Sequence, residues 1–202
     1  MDLVTNFPVK GLYGLVACGG RSSRMGRDKA FIDYHGKPQC YHLYEMLEPF
    51  CEKVFISCNE QMADQVDDLP TLVDLPYYSN IGPMAGLLTA LTSFSHKRFL
   101  MIGCDYPFLN EQALLGFLPF CTNEHTSAAF YNKKEDIYEP LLACYNYNIK
   151  GMMLDMFEAR LFSLQEILKS ANALKYFPVN IKAMESIDTP EAFIETKQAI
   201  SF

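Results

Sequence analysis

The segment Arg98–Gly103 reads RFLMIG, with no polar residue after the first. A strand with one wet face alternates apolar and polar side chains. A run without alternation is buried on both faces, which happens almost only in parallel sheets covered by helices on each side. Leu12–Cys18 (LYGLVAC) and Lys53–Cys58 (KVFISC) are further apolar runs of strand length, and Thr71–Val73 is a shorter one. Helix-length segments stand between them. Pro38 to Leu47 has proline where a first helical turn accepts it and Gly36 in the preceding turn. Pro83 to Phe94 carries Met84, Leu87, Leu88 and Leu91 at helical spacing, a stripe that faces a core. This alternation predicts an α/β fold of βαβ units around a mainly parallel central sheet. Beyond Asp105, Ser127–Tyr131 and Leu141–Tyr145 read as strands and Phe162–Leu174 as a helix. Pro190–Ile200 reads as a last helix, entered through Asp188-Thr189 as its cap. No repeat and no linker rich in Pro, Gly or Ser divides the chain, so residues 1–202 are expected to form one domain.

The net charge of −7 argues against a nucleic-acid or membrane-surface binder, since those partners reward basic surface. No apolar run approaches the roughly 20 residues that span a bilayer, and Met1–Lys10 does not read as a secretion signal, so the expected location is cytoplasmic. The seven cysteines are odd in number and form no C-x-x-C pair, which points to buried thiols rather than a disulfide framework or a zinc site. His35, His42, His96 and His125 show no ligand spacing.

The feature richest in chemistry comes directly after the first strand: Cys18-Gly19-Gly20-Arg21-Ser22-Ser23-Arg24-Met25-Gly26-Arg27-Asp28-Lys29. Its glycines let the backbone approach a ligand so that successive N–H groups can face phosphate oxygens. Arg21, Arg24, Arg27 and Lys29 can neutralise a triphosphate, and Ser22 and Ser23 add hydroxyl donors. The C-terminal end of a central strand is also where open α/β sheets bind ligands. The loop is neither a P-loop, whose glycine spacing and Lys-Ser/Thr ending it lacks, nor a dinucleotide G-x-G-x-x-G.

Asp105 comes just after RFLMIG, so a carboxylate is delivered to the same sheet edge as the loop, and Pro107 prevents the strand from continuing. Mg²⁺ takes one or two carboxylates together with phosphate oxygens and waters, a requirement that one strand-end aspartate meets. The competing role, a helix cap, suits Asn110 better. Asp74, after the third strand, is either a ligand contact or a turn former.

GGRSSRMGRDK resembles the signature loop G-G-x-S-x-R-M-G-x-D-K of the MobA-like nucleotidyltransferases, the molybdenum cofactor guanylyltransferases. Asp74, Gly82-Pro83-Met84-Ala85-Gly86, Cys104-Asp105-Tyr106-Pro107-Phe108-Leu109, Glu139-Pro140-Leu141 and Ile187-Asp188-Thr189-Pro190-Glu191 resemble family motifs in the same order, from Leu12 to about Ile194. The resemblance implies a single Rossmann-like three-layer domain. It also implies transfer of GMP from GTP-Mg to molybdenum-bound molybdopterin, with release of pyrophosphate. Ala17, Cys18, Gly19, Gly20 and Lys29 would hold the nucleotide, Ser57, Asn59 and Asp74 would complete its pocket, and Asp105 would bind Mg²⁺. The chain departs from the family at Ala17-Cys18, where Leu-Ala is common, at Ser57 in place of an asparagine, and at Ser186-Ile187-Asp188 in place of N-x-N.

Such a transfer asks for positioning and charge neutralisation rather than a covalent nucleophile. Arg24, Lys29 and Asp105 are the expected catalytic residues, and GTP and a molybdopterin-type acceptor are the expected partners, with molybdenum cofactor maturation proteins as further ones. Alternatives are a relative that uses CTP or charges a sugar phosphate, and a catalytically silent nucleotide-binding maturation partner. Lys29 and Asp105 together argue against silence.

Overall fold

The computed structural model describes residues 6–18, 29–187 and 189–200. Strand β4 (Arg98–Gly103) is buried along its whole length and lies at the centre of a seven-stranded sheet. The others are β1 (Val9–Ala17), β2 (Cys51–Cys58), β3 (Thr71–Val73), β5 (Ala128–Asn132), β6 (Ile137–Tyr145) and β7 (Leu174–Tyr176), in spatial order β3-β2-β1-β4-β6-β5-β7. β6 alone of these runs against its neighbours, pairing antiparallel with both β4 and β5. The remaining pairings are parallel, so the expected mainly parallel sheet is what forms.

Each central strand divides its side chains between two cores. From β1, Leu12 and Val16 enter one core and Leu15 and Ala17 the other; from β4, Leu100 and Ile102 separate in the same way from Phe99 and Met101. Helices close both faces. α1 (Gln39–Leu47), the short α2 (Glu60–Ala63) and α4 (Glu111–Cys121) bury Leu43, Met62 and Phe117 in the first core. α3 (Pro83–Ser93), α5 (Lys150–Glu158) and α6 (Leu164–Ser170) bury Leu87, Met153 and Ile167 in the second. The stripe Met84, Leu87, Leu88, Leu91 is core, as its spacing requires. α7 (Pro190–Ile200) begins where expected, with the Thr189 hydroxyl accepting from the Ala192 N–H at 3.3 Å. Asp188, the other half of that expected cap, lies outside the described residues.

The second half of the chain departs from the sequence reading in definite ways. Instead of one helix over 162–174, α6 starts after Ser163, whose hydroxyl accepts from the Glu166 N–H at 3.2 Å, and Asn172 ends the segment at φ 48°. Leu174 then opens β7, because β5 offers it a free edge. β6 begins at Ile137 rather than Leu141, since Pro140 sits where the pairing with β5 shifts register and no ladder N–H is needed. α5 gives no comparable signal, as only Met153 of its residues is fully buried.

Leu114, Phe117 and Leu118 of α4 enter the core, and the helix is capped by Asn110, whose Oδ1 accepts from the Ala113 N–H at 3.0 Å. Asn110→Ala should lower stability by about 1 kcal/mol in urea unfolding, while Asn110→Asp should stay close to the parent.

Candidate functional site

Strand order reverses between β1 and β4, because the chain leaves β1 toward β2 and β3 and returns through α3 to β4 on the other side. Such a switch point opens a crevice at the carboxyl ends of the strands. A cleft of about 1070 Å³ occupies that position, walled by Ala17 and Cys18 after β1, Ser57 and Asn59 after β2, Asp74 after β3 and the first turn of α3. The cleft thus brings together Ala17, Cys18, Ser57, Asn59 and Asp74 of the expected nucleotide pocket. Gly19, Gly20 and Arg24 lie outside the described residues.

Local geometry explains the walls. Gly82 adopts φ 66°, which lets Pro83 start α3 at the cleft edge with no side-chain cap over its N–H groups. Those first-turn groups and the helix dipole favour a negatively charged or hydrogen-bond-accepting ligand. Gly86, one turn further, has no room for a side chain, since an added Cβ would collide with Ser57 Oγ. Asn59 proves to be a helix cap, its Oδ1 accepting from the Met62 N–H at 2.9 Å. Its amide NH₂ makes no part of that cap, which leaves two donors beside the cleft.

Asp74 is half-buried, and burial pushes its carboxyl up to about 6. Its backbone N–H donates to Cys58 O at 3.0 Å, and the adjacent Leu75 N–H donates to the Thr89 hydroxyl at 3.0 Å.

Asp105 lies beyond the other rim. The Cys104 N–H reaches Ala17 O, and Cys18 Sγ and Cys104 Sγ meet at 3.2 Å, which ties the ends of β1 and β4 together just before Asp105. All seven cysteines are buried and pack as small hydrophobes, and burial raises Cys18 well above the ordinary thiol range. The turn after Asp105 is held by His35, whose Nε2 lies 3.0 Å from Pro107 O and whose ring stacks on His42 at 3.8 Å. Burial, helped by His35 and Lys37, pushes His42 down to about 4, so it is neutral at pH 7. The Ile187 N–H donates to Asp105 O at 2.9 Å, bringing the segment before α7 to the same place. Tyr34 is pushed up to about 12, first by burial and then by the Asp105 charge. Lys29 opens a short 3₁₀ turn, Lys29–Phe31, a little before this tyrosine in the chain. Neither Lys29 nor Asp105 lines the cleft itself.

Asp105 suits a magnesium ion on the chemistry of its surroundings. Its Oδ1 is shielded from water, and it rests in a cradle that exists only because Gly103 lacks a Cβ, which would collide with that oxygen. Among the described residues no group of three or more His, Cys, Asp or Glu could enclose a metal. One hard carboxylate oxygen just past the rim of the cleft fits the preference of Mg²⁺ for one or two carboxylates with its other positions filled by phosphate oxygens and waters.

Sequence reasoning assigned no role to Tyr106, Gly103 or Glu139. Tyr106 Oη donates to Glu139 Oε2 at 2.9 Å, and Glu139 senses the charge of Asp105. A signal was present, because Glu139 interrupts an otherwise apolar and aromatic strand, IYEPLLACY.

A cleft at the β1/β4 switch point, an uncapped helix end beside it and a strand-end aspartate define a nucleotide-handling α/β protein of the transferase type. The MobA-like NTP transferase domain matches residues 14–172, and the chain belongs to that family of nucleotidyltransferases. It is 32% identical over 184 residues to the molybdenum cofactor biosynthesis bifunctional protein of a Synechocystis species, covering 90% of this chain but only 52% of that longer protein. It is 30% identical to the molybdenum cofactor guanylyltransferase of Pseudomonas entomophila, covering 89% of this chain and 95% of the relative. Its fold is similar to that of molybdopterin-guanine dinucleotide biosynthesis protein A from Archaeoglobus fulgidus, with a TM-score of 0.76, 20% identity, and 94% and 98% of the two chains covered. No helix among the described residues is long and apolar enough to cross a membrane.

Desolvation of the Asp74 carboxyl makes stability depend on pH. Its folded-state value, about 6, exceeds the ordinary carboxyl value of 3.8, so the folded state holds this proton more tightly. The resulting stabilisation is full below about pH 4 and is lost as pH rises through about 6. Without nucleotide, Asp74→Asn should therefore gain Tm relative to the parent as pH rises from 4 to 7, with the difference level above that. Calorimetric scans across this range check it, and parallel Tm curves would show that the carboxyl is not desolvated.

Proposed function

We propose that this chain transfers GMP from GTP to the terminal phosphate of molybdenum-bound molybdopterin, releasing pyrophosphate, in the cytoplasm. The observation that carries the reading is the cleft at the switch point, whose walls hold Ala17, Cys18, Ser57, Asn59 and Asp74, with Asp105 just past its rim beyond the end of β4. The names of the relatives, molybdenum cofactor guanylyltransferase among them, support the choice of nucleotide and acceptor.

In this reading the base enters between the ends of β1, β2 and β3. Backbone groups at Ala17 and Cys18 and the Asn59 amide meet its polar edge, the amide facing guanine O6. Gly19 and Gly20 bring backbone N–H groups to the phosphates. Asp74 accepts from the ribose or the base. Lys29 and Arg24 neutralise charge on the α-phosphate as an acceptor phosphate oxygen attacks phosphorus in line and the bond to the β-phosphate breaks. Asp105 would hold Mg²⁺, which when bound supplies charge neutralisation on the phosphate oxygens. Gly103 keeps the Asp105 carboxylate seated, and the His35 contact to Pro107 O keeps its turn in place.

A pocket that reads a base by hydrogen bonds discriminates strongly, because a wrong base leaves buried polar groups unpaired. GTP should therefore displace a bound guanine nucleotide at least about tenfold better than CTP or ATP in competition binding. Equal or tighter binding of CTP would favour a cytidylyl-transferring relative instead.

Lys29→Met and Asp105→Asn should each lower the rate of acceptor-dependent pyrophosphate release from GTP by about a hundredfold or more, with the far-ultraviolet circular dichroism unchanged. Asp105→Asn should leave GTP binding in EDTA intact, because the carboxylate repels phosphates when no cation separates them. Full activity in either variant would remove that residue from the mechanism.

A further inference from the structure

β7 is the outer strand of the sheet, beside β5, yet the chain that leaves it does not turn back along its own edge. It crosses to the other side of β6. A short 3₁₀ turn, Ile181–Met184, packs on β5 with Ala183 fully buried in the first core, and the Ile187 N–H then reaches Asp105 O at 2.9 Å, beyond the end of β4. Residues 177–187 therefore form a strap that runs past the ends of β5, β6 and β4. The nucleotide cleft is on the opposite side of β4, at the ends of β1, β2 and β3.

One cation on this strap is held in place. Asn180 Oδ1 accepts from the Lys182 N–H at 3.0 Å, which fixes the start of the 3₁₀ turn, and Lys182 Nζ lies over the Phe108 ring at 4.0 Å. Phe108 belongs to the turn that follows Asp105, and the contact of His35 with Pro107 O holds that turn. The pull of a ring fixes the position of an ammonium while leaving at least two of its three N–H donors for a ligand. Lys37, Lys97 and Lys169 are paired with Glu45, Glu52 and Glu166, whereas Lys182 makes no ion pair among the described residues. An exposed lysine is ordinarily just a solvated one. This one differs because a ring, a backbone cap and a strap tied to Asp105 O together fix where its charge sits.

We propose that Lys182 is the cation that receives the phosphate monoester of the acceptor, on the β6 side of Asp105, and that Phe108 is the residue that positions it. This rests on the proposed transfer of GMP. Attacking and leaving oxygens lie in line across the α-phosphate, so the two substrates need separate approaches. With the ends of β1, β2 and β3 given to the nucleotide, the acceptor's approach is past β6 and the strap. That approach is acidic, since Glu135, Asp136 and Glu139 lie on the turn between β5 and β6 and on β6 itself. An anion entering beside them is repelled unless a fixed positive charge faces it. Lysine suits this task as a compact point charge that binds phosphate. Lys133 and Lys134, exposed on the same turn, add to the field, but no ring holds either ammonium among the described residues.

The test compares the full-length parent with Lys182→Met, Lys182→Arg, Phe108→Leu and a double variant, Lys133→Met with Lys134→Met. Three quantities are measured for each: GTP affinity, affinity for molybdenum-bound molybdopterin by equilibrium dialysis without GTP, and KM and kcat for acceptor-dependent pyrophosphate release. Lys182→Met should weaken acceptor binding and raise the acceptor KM about tenfold, with kcat and GTP affinity close to the parent. Lys182→Arg should recover most of the loss, because it keeps the charge and stacks on the ring, and Phe108→Leu should fall between the two. The double variant should lose about twofold at most, as screened surface charges do. Parent-like acceptor affinity in Lys182→Met would overturn the proposal. An equal loss in the double variant would overturn it too, by reducing Lys182 to one of several screened charges. Loss of GTP affinity in Lys182→Met would also overturn it and move the lysine to the nucleotide side. If the parent released no pyrophosphate when the acceptor was added, the reading of GMP transfer would fail, and the dialysis series would still decide whether Lys182 holds the acceptor.

Discussion

The parallel pairing of β1 with β4 is the constraint on which the site depends. Its register runs unbroken from Leu12↔Arg98 to Ala17↔Gly103, and the thiols of Cys18 and Cys104 close the seam at 3.2 Å. Because these strands are neighbours in space but far apart in sequence, everything between them must cross over in two opposite directions. That crossing opens the crevice, and no packing of side chains can then close it without breaking the sheet. The cleft is walled by the ends of β1, β2 and β3, and Asp105 follows the end of β4, so the spacing between the cleft and Asp105 is set by backbone hydrogen bonds of one sheet rather than by flexible loops.

The second governing effect is the treatment of negative charge in a chain whose net charge is already −7. Asp74, Asp105 and Glu139 are each at least partly withdrawn from water at the site, an arrangement that opposes folding unless ligands compensate it. The fold accommodates these groups with small residues and fixed donors: Gly86 beside Ser57, Gly103 beneath Asp105, Tyr106 against Glu139. Each glycine is required by a specific close approach. Any ligand that brings positive charge or hydrogen-bond donors to these carboxyls offsets that cost, which couples ligand binding to stability.

Much of the fold was legible because buried parallel strands leave an uninterrupted apolar signature. RFLMIG and the helix stripe from Met84 to Leu91 read correctly for that reason. The legibility fades after Asp105, where the sheet turns antiparallel. β7 is three residues long, and its pairing with β5 gives it an identity that LKY alone does not have. The helix expected over 162–174 ends at Asn172, whose left-handed conformation is a local stop signal, and the pairing with β5 makes the next three residues a strand. At the cleft, strand-end residues were readable from position: Asp74 lines it after β3, while Asp105, after β4, does not. Asn59 also lines the cleft, and its oxygen caps α2, a duty visible only once the helix exists.

The sequence by itself determined the layered α/β architecture and where the central strands end, because these depend on local composition and on burial along a single segment. The tertiary structure decided which strand ends become neighbours. The β4–β6 register and the hydrogen bond from Tyr106 to Glu139 are both made between segments distant in sequence. No periodicity within either segment encodes that pairing, since register is a property of two strands and belongs to neither alone.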